Sequence, residues 1–139
     1  MAYDIKLTVT LREGTDDAVT VGERTYPSKT LAEDKRFVLT SAVAVLWDSD
    51  ADGAVADFDL LVLTSDSDVE LELTCNDGDG NEELSGLMLA ANVPLLLGSN
   101  VSRYNYGGDV FDGTLDVIDR IRAKESAGIA ANIRLRLYT

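Results

Sequence analysis

Strict alternation of apolar and polar side chains is the strongest constraint on how this chain folds. In YDIKLTVTLR, Ile5, Leu7, Val9 and Leu11 alternate with Asp4, Lys6, Thr8 and Thr10. VELELTC repeats the pattern with Val69, Leu71, Leu73 and Cys75, and ANIRLRLYT repeats it with Ile133, Leu135 and Leu137. A period of two sends successive side chains to opposite faces, so each segment reads as a strand with one face to bury.

The intervening segments fill in an all-β chain. AVTVGERTY reads as a weaker strand ending at Pro27, and RFVLTSAVAVLW is β-rich, with Val43, Val45 and Trp47 on one face. FDLLVLT is apolar on both faces, as in a strand at the middle of a sandwich. The four polar residues SDSD then predict a hairpin into VELELTC. NDGDGNEE is a second acidic turn, and VPLLLG a short strand.

Three segments carry helical signals. Thr30 and Glu33 in SKTLAEDK have the spacing of a capping box, which predicts one helical turn. Leu84, Leu87, Met88 and Ala91 fit a helical face that Gly86 weakens. LDVIDRIRAK reads either as a helix capped by Thr114 and stopped at Gly128, or as a strand pairing with the last segment across ESAGIA; the strand is preferred. The expected architecture is a β-sandwich or jelly roll of seven or eight strands with at most one short helix. No repeat or linker interrupts residues 1–139, which read as a single domain.

Charge narrows the partners. The net charge is −13, and Phe37 to Ser102 holds thirteen acids and no lysine or arginine. The flanks carry twelve acids against all twelve bases, so the whole imbalance is central. Such a field repels phosphate backbones and anionic membranes, and it attracts divalent cations or a basic protein surface. No apolar run nears the roughly 18 residues of a membrane span. MAYDIKLTVTLREG lacks the basic and apolar regions of a secretory signal, which predicts a protein made and kept in a cytosol.

The residue inventory excludes most catalytic machinery. The chain has no histidine, which removes Ser-His-Asp and Cys-His nucleophiles and histidine-ligated zinc. One cysteine, Cys75, cannot build a disulfide framework or a thiolate metal site within the chain. Neither a phosphate-binding loop nor a dinucleotide fingerprint occurs. The acids that could form a glycosidase-type pair sit in short turns, so a non-catalytic protein is expected.

Three features are candidate sites. DSDADGAVADFD puts Asp48, Asp50, Asp52 and Asp59 at positions 1, 3, 5 and 12 of a twelve-residue loop, with Gly53 at position 6. That is the skeleton of a calcium loop, and equally of an acidic turn, because its flanks read as strands and a closing aspartate is short. Residues 98–113 hold Arg103, Tyr104, Tyr106 and Phe111 among Gly, Ser and Asn, a composition suited to partner contact or to rings folded back on the sandwich. Arg120, Arg122 and Lys124, then Arg134 and Arg136, alternate on segments that would share a face if both are strands. They would pair with Glu70 and Glu72 within the chain or with the acidic segment of a neighbouring copy.

The opening strand, ADFDLLVLTSDSDVELEL, NVPLLLGSN and IRLRLYT together resemble small virion proteins of tailed bacteriophages, of the capsid decoration (cement) or head-tail accessory type. The likeness spans most of the chain and is one of size, strand density and acidity, without a diagnostic motif. It implies an oligomeric sandwich subunit, a trimer favoured, that binds other virion proteins such as the major capsid protein, resides in the virion and catalyses nothing. The alternative is a small ligand- or carbohydrate-binding module with calcium in the Asp48–Asp59 loop. A carbohydrate platform needs exposed aromatics, and patterning puts Trp47 in or near the core.

Overall fold

Every alternating segment becomes a strand. The computed structural model describes residues 1–76, 81–98, 100–102 and 115–139. Among them no helix forms, and eleven strands do. They are β1 (Tyr3–Leu11), β2 (Val19–Lys29), β3 (Leu31–Leu39), β4 (Ala44–Asp48), β5 (Leu60–Ser65), β6 (Val69–Asn76), β7 (Asn81–Leu89), β8 (Leu95–Leu97), β9 (Asn100–Ser102), β10 (Leu115–Glu125) and β11 (Ala131–Tyr138).

The chain divides into two compact units, Met1–Leu31 and Ala32–Thr139, where the sequence shows no linker. The first is an antiparallel hairpin, β1 with β2. β2 does not stop at Pro27 but runs on to Lys29. Proline is tolerable because each strand of a two-stranded sheet is an edge. Register slips there, with Tyr3 opposite Lys29 and Ile5 opposite Tyr26, so Pro27 and Ser28 face Asp4 alone. Ser28 takes a φ of 52°, and its N–H donates to Asp4 Oδ1 at 2.9 Å.

The second unit is a sandwich. One sheet runs β4-β10-β6-β7, with β9 also on β10; the other runs β3-β11-β5-β8. A single core joins them, taking Leu71, Leu73, Ile118 and Ile121 from the first and Leu61, Leu63, Ile133, Leu135 and Leu137 from the second. The β-sandwich expectation is met, while the strand orders alone do not establish a jelly roll.

Both predicted helical segments are strands. SKTLAEDK runs through the end of β2 into β3, and Leu84–Leu89 belongs to β7. In each case pairing with a neighbouring strand outweighs a local signal worth about 1 kcal/mol. Gly86 lies where β7 slips against β6, since Leu71 faces Leu87 but Leu73 faces Leu84. LDVIDRIRAK is a strand, as preferred, but it does not pair with the last segment: β10 and β11 lie in different sheets. Likewise SDSD does not close a hairpin, because β5 and β6 lie in different sheets. Among the described residues the consecutive strands that pair antiparallel are β1–β2, β6–β7, with Asn76 opposite Asn81, and β9–β10.

The SDSD arch is held by its own side chains. Ser65 Oγ donates to Ser67 O at 2.7 Å, and both serines are buried. Asp68 Oδ1 accepts from Ala91 N, Asp68 O from Ser126 N and Ser65 O from Asn92 N, at 2.9, 3.1 and 2.7 Å. Four polar residues thus satisfy backbone groups of two other connections, which lets the chain cross between layers without orphaned N–H groups.

Candidate functional site

The Asp48–Asp59 segment is pinned at its ends by the core. β4 slips against β10, with Ile121 opposite Trp47 and Arg122 opposite Val45. The extra residue, Leu46, breaks the alternation, so Leu46 and Trp47 are both buried while Val43 and Val45 are exposed. The predicted face of Val43, Val45 and Trp47 therefore fails at a bulge, a device that shifts the phase of a strand by one residue. Trp47 meets the Phe58 ring edge-on at 5.1 Å, and its Nε1 donates to Val55 O at 3.0 Å. Asp59 N donates to Tyr138 O at 2.8 Å, which closes the segment onto β11.

Within the loop the aspartates do the work of turns. Asp48 Oδ1 accepts Asp50 N at 3.0 Å, and Asp57 Oδ1 accepts Phe58 N at 2.8 Å. Gly53 takes a φ of 74°, the left-handed conformation that the turn requires. The predicted convergence of Asp48, Asp50, Asp52 and Asp59 on a calcium ion is not what this loop builds. Among the described residues no three His, Cys, Asp or Glu side chains gather into a group that could hold a metal. The acid brought near is one the sequence reading missed. Asp119 is the extra residue where β10 slips against β6, between Ile118 opposite Cys75 and Arg120 opposite Thr74. Its carbonyl accepts Ser49 N at 2.9 Å. Burial, then the Asp50 and Asp48 carboxylates, push its carboxyl above the usual range.

The bases do not share one face. Those of β10 stand on one sheet and those of β11 on the other. On the first, Arg120, Arg122 and Lys124 lie directly opposite Thr74, Glu72 and Glu70. Arg122 Nε donates to Glu72 Oε1 at 2.7 Å and Nη2 closes on the same oxygen, while Lys124 Nζ is 3.3 Å from Glu70 Oε2. On the second, Arg134 grips Asp34 with both arms, Nε to Oδ1 at 2.8 Å and Nη2 to Oδ2 at 2.6 Å. That pair holds the Asp34 carboxyl below its usual range. Arg136 lies beside it, lining a shallow surface depression with Val62, Thr64 and Arg134. Of the five bases, Arg122 and Lys124 meet the expected Glu72 and Glu70, whereas Arg134 meets Asp34 instead. The other partner-binding candidates, Arg103, Tyr104, Tyr106 and Phe111, lie outside the described residues.

An open groove of about 740 Å³ runs along the second sheet. Arg36 and Val38 of β3, Thr64 and Asp66 at the end of β5, Asn92, and Asn132 on β11 form its walls. Asp66 is committed: Asn132 Nδ2 donates to Oδ2 at 2.7 Å and Asn132 N to Oδ1 at 2.8 Å. Those two bonds, the side-chain one first, hold the Asp66 carboxyl below its usual range. No sequence signal marked the groove, because its residues come from four separate segments.

The hairpin carries an uncovered apolar face. Direct pairing puts Ile5 with Tyr26, Leu7 with Arg24, Val9 with Gly22 and Leu11 with Val19 on one face. Ile5 and Leu7 are half-buried, yet Val9, Leu11 and Val19 are 59, 52 and 63% exposed; Val21, the extra residue where β2 slips against β1, is exposed as well. Arg24 stacks over the Tyr26 ring at 4.7 Å, and Lys6 meets Glu23 across the opposite face at 2.8 Å. The alternation that most clearly predicted a buried face is the one left open. No family model, curated protein or solved structure matches this chain.

Proposed function

We propose that the chain is a non-catalytic structural or assembly subunit of a virion, acting through protein–protein contacts. The observation that carries the assembly reading is the hairpin face. Two strands alone are marginally stable in water, and this pair presents branched aliphatic side chains to solvent. A face of that kind is completed by another chain. The bacteriophage setting comes from the resemblance in size, strand density and acidity. The major capsid protein or a neighbouring virion protein is the partner it implies, with a homo-oligomer as the working form and the host cytoplasm as the place of synthesis.

The binding-module alternative draws support only from the groove. Its sole aromatic is the half-buried Phe37, and Trp47 is 3% exposed, so neither offers a sugar-stacking platform. Mass spectrometry of purified particles from the source that encodes this chain tests the assembly reading. Stoichiometric copies in the particle are expected; a chain found only in the unassembled lysate fraction overturns the virion assignment.

A further inference from the structure

We propose that the hairpin face docks a second copy of this chain, hairpin against hairpin, in an antiparallel two-fold pair. Charge along the hairpin supplies the argument. Its tip, residues 12–18, holds Glu13, Asp16 and Asp17 against Arg12 alone. Toward the other end the apolar face carries Arg24 and Lys29 and no acid, since Asp4 and Glu23 belong to the opposite face or to Ser28. Laid antiparallel, the acidic tip of each copy falls against the cationic end of the other, while Val9, Leu11 and Val19 meet in the middle. A two-fold contact uses the same patch twice, so one complementary pair of ends serves both halves.

The overall field selects the same surface. The hairpin unit carries five acids against four bases, net −1, whereas the remainder carries the other −12. Two copies repel through their sandwiches, and the near-neutral hairpin is where they can approach. Strands of this length give a contact well below the roughly 800 Å² per partner of a standard interface, so the pair forms in a concentration-dependent way. The inference deepens the assembly reading and rests on it only in taking the hairpin face as the contact surface.

Sedimentation of the purified full-length chain across the micromolar range tests it. A species of twice the 15.0 kDa chain mass is expected to grow with concentration. Val9→Asp with Leu11→Asp removes it, while Trp47 fluorescence keeps its buried signature. Asp16→Lys with Asp17→Lys weakens it by about tenfold or more, and adding Arg24→Glu with Lys29→Glu restores it. That rescue distinguishes docking from a hairpin that has merely unfolded. A single-chain mass at every concentration, a three-fold species, or charge reversal without rescue overturns the proposal. Any of these results leaves the particle mass-spectrometry test of virion membership untouched.

Discussion

β1 and β11 are written in the same code and meet opposite fates. Ile5, Leu7, Val9 and Leu11 alternate as cleanly as Ile133, Leu135 and Leu137. Leu135 is fully buried between the sheets, whereas Val9 is more than half exposed. Alternation states which face is to be covered; it says nothing about which layer covers it. β11 finds β3 and β5 as neighbours and a second sheet opposite, whereas among the described residues β1 pairs with β2 alone. The contrast is what supports the proposed assembly surface, because an apolar face left open by a unit's own strands is available to another chain.

The sharpest way to break the comparison is to remove equivalent side chains from the two strands. Leu135→Ala is expected to cost about 2–5 kcal/mol, since the site is sealed by both sheets and a cavity remains. Val9→Ala in the isolated chain is expected within about 0.5 kcal/mol of zero, as for exposed positions generally. Urea titration followed through Trp47 fluorescence measures the first, and the amide circular dichroism of the hairpin the second. Equal costs would mean that the hairpin face is covered, and the case for a docking surface would go with it.

Glycines sharpen the comparison at the next level. Gly53 has a φ of 74° with open space where a Cβ would point, so Gly53→Ala meets only backbone strain. That strain costs roughly 1–2 kcal/mol. Gly22 also faces open space but has an ordinary φ, and it sits opposite Val9 in the ladder. Gly22→Ala is therefore expected to stabilise the hairpin by about 0.4–1 kcal/mol, through the entropy of the unfolded chain. Thermal unfolding of the two variants should move in opposite directions.

Much of this fold was legible from residue order. Alternation identified β1, β6 and β11, and buried-strand composition identified β5. What escaped was set by tertiary context. Leu46 and Asp119 are bulge residues, and a bulge shifts phase without any distinctive residue type. SDSD looks like a hairpin turn because its residues suit any tight reversal; only hydrogen bonds to Ala91, Asn92 and Ser126 make it an arch between layers. The calcium motif likewise fixes spacing and not geometry: among the described residues no three carboxylates gather. Its spacing ensures only that carboxylates recur, while here Asp48 and Asp57 turn their oxygens to backbone N–H groups two residues and one residue on. The groove and the setting of Asp119 draw on distant segments and had no local signature.

Acid titration separates two kinds of aspartate. Asp34 and Asp66 hold folded pKa values below the ordinary 3.8, so the folded state binds fewer protons there. Their contribution is complete above 3.8 and is lost as pH falls below it. Asp119 has the opposite sign: its folded value lies above 3.8, so stability falls as pH rises through it. Asp119→Asn is expected to stabilise the chain at neutral pH and to lose that advantage near pH 3. Asp66→Asn is expected to destabilise it at neutral pH and to converge on the wild type in acid. Urea midpoints measured from pH 3 to 7 check both. Parallel curves for Asp119→Asn and wild type would mean that Asp119 is solvated like any surface acid.

The smallest effect tests whether the paired charges hold the sandwich together or only set its register. Arg122 and Glu72 face each other directly on β10 and β6, each about a quarter exposed. Cross-strand pairs of this kind contribute about 0.2–1 kcal/mol, little beside the leucines beneath them. A double-mutant cycle with Arg122→Met and Glu72→Gln isolates the coupling from the loss of each charge. A coupling inside that range, with an unchanged urea dependence, assigns the pair to register, since a one-residue slip of β10 would set Arg122 opposite an apolar neighbour and turn Ile121 outward. A coupling of several kcal/mol would instead make the outer face a stabilising layer in its own right. The contrast between covered and open apolar faces would then no longer account for where the stability of this chain resides.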